Sequence, residues 1–369
     1  MTIVIEDPAQ PAHPASGPGT LPRSEWSKVG PEHWIELQRR IRASGLMDPK
    51  PAYYWAKIGF NLAMLASSWV AVFVVGSSWW FLAVAAYMAF CYTQTGFIGH
   101  DIGHRQVTRS RRGQDLLGLL HGNLLMGFSY GWWVGHHNKH HSNPNHLEKD
   151  SDIVRRRAIF IPDQGFAEKR RKRGTQFIVR HQHVLFYPLL ATESLGLRTE
   201  SLKALRAKLP RLTRTETALI VTHLALYFGT LVWVLGPVKA LLFVLTMNAI
   251  FGIYIGAVFA PNHKGMPIQL PEEEWDWLTR QVVTSRNIRS SYLIDFLYGG
   301  LNYQVEHHLY PAMPRKSLRH ARPITKDYCA EIGLPYHEVG VVRSFTEVIA
   351  HLYRTTKSYQ AIAATRKAG

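Results

Sequence analysis

The sequence predicts an all-α integral membrane protein: four transmembrane helices in two hairpins, with a cytosolic helical cap. Three observations predict it. Apolar residues make up 46% of the chain, yet they are gathered in blocks with charge filling the gaps. Four of those blocks, at 53–76, 77–99, 217–236 and 238–260, are about 20 residues or longer, enough to cross a hydrocarbon core of about 30 Å as helices. The blocks form two close pairs, joined at Gly76 and Gly236, and the basic runs fall in the long segment between the pairs.

In chain order, residues 1–50 read as a Pro-rich flexible tail followed by a short amphipathic helical region over 24–44. The tail lacks the basic and apolar regions of a signal peptide. The block 53–76 carries one charge, Lys57, and 77–99 carries none. Two further apolar stretches follow, at 116–134 and 184–197. Glycines interrupt the first, and Pro188 and Glu193 the second, so both read as helices lying in the interface. The second pair of spans contains only Lys239 among charged residues over 238–260. After 265 the chain turns polar, with helical character over 273–300 and 345–360. The cap therefore comprises 100–214 and 262–369, and the membrane domain as a whole 51–369.

The net charge of +17 is uneven. "RSRR" (109–112), "RRR" (155–157) and "KRRKR" (169–173) lie between the hairpins, whereas the connectors inside them are nearly uncharged. Positively charged loops stay cytoplasmic, so both termini and the middle segment are expected on the cytosolic side. With no nucleic-acid-binding motif and four spans, such a surface points to membrane lipid, a phosphate-bearing substrate or an acidic partner. Two cysteines, Cys91 and Cys329, give no disulfide framework.

Histidine is the unusual residue, at 19 positions. "GHDIGHRQ" places His100 and His104 at i, i+4. "HNKHH" places His137, His140 and His141 at i, i+3, i+4, and "QVEHH" repeats that frame with Gln304 leading His307 and His308. Each spacing puts its members on one helical face, and each cluster stands at the cytosolic side of a span. Neutral imidazole suits Fe, Zn, Cu or Ni. Seven imidazoles exceed the four ligands of one tetrahedral ion, so two metal ions are expected.

HxxxH, then HxxHH, then QxxHH, arranged around two membrane hairpins, resembles the membrane-bound fatty acid desaturases, in particular the acyl-lipid and front-end type. The resemblance covers about residues 50–325 and includes "WWVGHHNKHHSNPN" and "NHKG" (262–265). It implies a di-iron centre in the cap, with His100, His104, His137, His140, His141, His307 and His308 as ligands. His263, beside Asn262, matches a further ligand position, so the third box need not supply three imidazoles. Gln304 is then expected to hydrogen-bond a ligand or hold a metal-bound water. Asp101, Asp152 and Glu306, with Asp150, are candidates to orient rings, or else are solvated carboxylates. Trp132, Trp133 and Tyr303 either line an acyl tunnel or anchor the chain at the interface.

The implied reaction is O2-dependent insertion of a cis double bond into a fatty acyl chain, carried as acyl-CoA or acyl lipid. "HPAS" (13–16) is no haem-binding element, so electrons are expected from a separate carrier of ferredoxin or cytochrome b5 type with its reductase. A hydroxylase or other oxygenase on a fatty acyl or alkyl chain is the alternative. A metal transporter would carry its ligands midway through the spans, not at their ends.

Overall fold

A computed structural model describes residues 14–15, 19–156 and 173–368. The basic run 169–172, Arg157 and the start of the tail lie outside the described residues. After a 3-10 turn at Arg23–Lys28 come α1 (Pro31–Ala43), α2 (Pro51–Val75), α3 (Phe81–Gly103), α4 (Arg111–Gly118) and α5 (Tyr130–Ser142). Then follow α6 (Ser151–Arg156), α7 (Arg173–Arg180), α8 (Gln182–Leu189), α9 (Glu193–Arg206), α10 (Thr213–Leu235) and α11 (Pro237–His263). The last part holds α12 (Trp277–Val283), β1 (Arg286–Ile288), α13 (Tyr292–Leu297), α14 (Gln304–Leu309), α15 (Arg315–Glu331), β2 (His337–Val339) and α16 (Val341–Ala368).

Four of these helices, α2, α3, α10 and α11, are long and apolar enough to cross a membrane. Their burial explains why the solvent must be lipid. α2 buries a single stripe, Tyr54, Ile58, Asn61, Leu65, Ser68 and Val72, at the three- and four-residue spacing of one helical face. Its other face presents Phe60, Val70, Phe73 and Val74 outward. α10 does the same, with Ile220, Tyr227 and Leu231 inside and Val221, Leu226 and Trp233 outside. A continuous apolar exterior of this extent would aggregate in water and is matched by acyl chains. This is a membrane protein. α3 and α11 form the inner layer, and their side chains Met88, Tyr92, Phe243, Met247 and Phe251 share one buried cluster with Leu65, Val72 and Leu231 of the outer helices.

The polar parts of the chain close over one end of these helices. Trp26, Leu37 and Ile41 pack with Leu278, Val282, Leu309 and Leu318, so α1 is clamped onto α12, α14 and α15. The stretch 116–134 does not form one continuous helix. α4 widens into a π-helical segment at Leu119–Leu125, the chain turns at Gly127 (φ 69°), and α5 begins. The stretch 184–197 folds as α8, a 3-10 turn and the start of α9. One departure from an all-α chain is a parallel pairing of β1 with β2, Arg286 opposite His337 and Ile288 opposite Val339. It pairs the backbone of two short, largely buried segments.

Candidate metal centre

Three helices and one helix end converge where the cap meets α3 and α11. α3 carries His100 along its last turn and His104 just past its end. α5 is capped by Ser129, whose hydroxyl accepts from the Trp132 N–H at 3.2 Å. Glu216 of α10 fixes the same end, accepting from Ser129 Oγ at 2.5 Å and from the Gly131 N–H at 3.2 Å. α14 is placed by Gly299 and Gly300, both at positive φ (60° and 79°). A Cβ on either would press into Phe97 or Arg315, so the close turn before the third box requires glycine.

The eight histidines named from the sequence come together and sort into two groups. Ring nitrogens of His100, His104, His137, His141 and His307 lie within 4.8 Å of one another, and those of His140, His263 and His308 form a second set. All eight but His263 are buried, and it is partly so. Burial, reinforced by neighbouring imidazoles, pushes His104, His137, His141, His307 and His308 well below the ordinary histidine range. They are therefore neutral, the form that offers a lone pair to a metal.

The spacing of donor atoms tests whether a metal fits. Nε2–Nε2 distances are 3.2 Å for His137–His100, 3.1 Å for His141–His137, 3.3 Å for His140–His263 and 3.1 Å for His263–His308. In the second group each Nδ1 is already engaged by an acceptor. His140 donates to both Asp150 oxygens (3.0 and 3.1 Å), His263 to the Thr284 carbonyl (2.9 Å) and His308 to Gln281 Oε1 (3.0 Å). Their Nε2 atoms then face one another as lone pairs, with the Gln304 amide nitrogen 2.9 Å from that of His263, and lone pairs so placed repel unless a cation lies between them. With metal–nitrogen bonds of about 2.1 Å, adjacent donors on a tetrahedral or octahedral ion stand about 3.0–3.4 Å apart. The donor set fits metal ions.

The remaining candidates fall in varied places. The Gln304 amide nitrogen is 2.9 Å from His263 Nε2, and its oxygen accepts from Asn262 Nδ2 at 2.9 Å. Asp152 contacts His136 Nε2 at 3.1 Å and stands 3.7 Å from His140 Nδ1, so Asp150 is the closer carboxylate. Asp101 is 3.7 Å from His100 Nδ1 and pairs with Arg315 at 2.7 Å. Glu306 turns away from the rings and accepts from Asn287 and Tyr336, each at 2.7 Å. Its burial raises its pKa to about 7. Gln281 and Thr284 escaped the sequence reading: neither sits in a histidine frame, and Thr284 contributes only a main-chain carbonyl.

A cavity of about 260 Å³ opens beside both groups. Its lining includes His100, His137, His140, His263 and Gln304 together with apolar Met126, Phe128, Phe251, Ile255 and Phe259. Trp132 and Trp133 belong to this lining. Tyr303 does not: its hydroxyl donates to Asp295 at 2.9 Å and its ring is in the core of the cap.

The sequence pattern of a family described as fatty acid desaturase matches residues 77–340. An acyl-lipid (9-3)-desaturase of Physcomitrium patens is 31% identical over 326 residues, covering 86% of this chain and 61% of that protein. Fatty acid desaturase 3 of Bos taurus is 28% identical over 347 residues, 92% of this chain and 76% of the relative. The Delta(6)-fatty-acid desaturase fat-3 of Caenorhabditis elegans is 30% identical over 321 residues, 83% and 70% of the two chains. The chain thus spans less than two thirds of the moss protein. It belongs to the fatty acid desaturase family, and with it to the oxidoreductases of lipid metabolism.

Proposed function

We propose that this chain is an O2-dependent di-iron desaturase that introduces a cis double bond into a fatty acyl chain carried as acyl-CoA or acyl lipid. The observation that carries the reading is the convergence of five and three histidines at a largely apolar cavity, whose lining includes His100, His137, His140 and His263. His100, His104, His137, His141 and His307 would hold one iron. His140, His263 and His308 would hold the other, with Gln304 steadying a water beside His263. Bound there, the iron pair supplies with O2 the power to remove hydrogen from an unactivated CH2 group, which no side-chain base can do.

The chain's own residues do the rest. Phe251, Ile255 and Phe259 take the acyl chain out of water and hold it against the histidines, which restricts the carbons that reach them. Asp150, Thr284 and Gln281 hold three rings in one tautomer and orientation. Asp101 and Arg315 neutralise each other behind His100. The four spans would form two hairpins with both termini, the cap and the site on the cytosolic side, as the basic segment 109–112 between them favours. Electrons would come from a separate ferredoxin- or cytochrome b5-type carrier and its reductase.

Expression in cells whose lipids lack the product, followed by location of new double bonds and assay of iron, tests this reading. A new unsaturated acyl chain and bound iron are expected. Hydroxylated chains in its place would make the protein an oxygenase, and a protein holding zinc alone would refute the reading.

A further inference from the structure

We propose that an acidic one-electron carrier docks on a basic face formed by α4 and the α9–α10 connection, and that Trp133 conducts its electron to the histidine cluster. This rests on the function proposed above and adds the point of electron entry.

Several contacts make that face one surface. Arg211 of the α9–α10 connection pairs with Asp115 of α4. Pro210 lies against Gly131 and Tyr130 against Gly118, which brings both segments to the start of α5. Gln114 of α4 donates to the carbonyls of Ile102 and Gly103, which seats α4 on the end of α3. Residues 104–118 and 206–214 carry four basic side chains each against a single acid, Asp115. Arg105, Arg111, Arg112 and Lys208 are exposed. A concentrated field of one sign steers and orients a partner of the other.

Trp133 sits beneath this face. It is half-buried, and its ring crosses α3 at Gly103, where a Cβ would come within 2.5 Å of Cζ3. The indole stacks on His137 with centroids 4.6 Å apart and planes at 20°, and meets His100 edge-on at 5.6 Å. One aromatic ring thus links the margin of the basic face to two imidazoles of the five-histidine group. As a cavity wall alone, position 133 would need only apolar bulk. Each docking moves one electron: the carrier is oxidised by one, the metal pair reduced by one, and the indole ends unchanged. Two dockings supply the two electrons that, with two protons and the two hydrogens of the substrate, reduce O2 to two waters.

The test uses the full-length protein and an acidic [2Fe–2S] ferredoxin, reading carrier binding to metal-free protein, iron per chain, and rates of metal reduction by ferredoxin and by dithionite. The triple variant Arg111→Glu, Arg112→Glu, Lys208→Glu should weaken ferredoxin binding about tenfold at low salt, a larger loss than it causes in binding to phosphatidylserine vesicles. Trp133→Leu should keep ferredoxin binding, iron and the dithionite rate while losing most of the ferredoxin-driven rate, and Trp133→Phe should recover part of it. Parental ferredoxin-driven reduction in Trp133→Leu overturns the route. Unchanged ferredoxin binding in the triple variant, with vesicle binding lost, makes the face a lipid surface. Iron loss in both Trp133 variants makes the ring structural. Intact electron entry without any double bond formed would count against the proposed function and leave the docking face standing.

Discussion

The two histidine groups use the same ring and differ in what stands behind it. In the three-histidine group every Nδ1 is engaged: His140 by Asp150, His263 by the Thr284 carbonyl and His308 by Gln281. In the five-histidine group, His141 Nδ1 is buried without a hydrogen-bond partner, and Asp101 stands 3.7 Å from His100 Nδ1. The larger group relies on the number of donors and on rings packed against one another. The smaller group relies on outer acceptors that hold few donors in place. Loss of a ligand should therefore be harshest where donors are fewest, and loss of an outer partner should matter where such partners exist.

The largest effect expected is from His308→Ala, which leaves two imidazoles in its group. Metal at that site and all turnover should disappear, as metal assay and product analysis will show. His104→Ala leaves four imidazoles and should retain more metal while still losing turnover. Equal metal loss in the two variants would break the comparison.

Next in size is Asp150→Ala, which frees His140 to rotate. Outer partners of metal-bound histidine are commonly worth about 10- to 100-fold in affinity or activity, and a chelator titration should find a drop of that order. Gln304→Ala should fall at the lower end of that range in turnover and keep its metal, because it removes an amide beside His263 and no imidazole. His263→Ala, in contrast, should lose metal. Metal loss as complete in Gln304→Ala as in His263→Ala would make the amide a direct ligand.

Glu306→Gln should have the smallest effect. Its carboxylate serves Asn287 and Tyr336 and touches no ring nitrogen named above. The substitution should leave metal content unchanged and cost about 1 kcal/mol in denaturant unfolding, the worth of one hydrogen bond.

What the sequence made legible follows from range. The spans were readable because an apolar block of sufficient length is a local signal, and HxxxH and HxxHH because three- and four-residue spacing fixes a helical face. The same rule explains why Glu306 misled: a neighbour one residue along a helix points about 100° away, so adjacency to His307 placed it toward Tyr336. Gln281 meets His308 only through the packing of α12 on α14, and the β1–β2 pairing joins segments some fifty residues apart. His263 was the intermediate case, found by resemblance and not by any frame.

The central claim is that these eight histidines hold two metal ions, one per group. Metal per chain, measured on purified protein with His308→Ala beside it, tests this most directly. The account predicts two irons in the parent and one or fewer in the variant. A single metal ion in the parent, or two in both proteins, would contradict it.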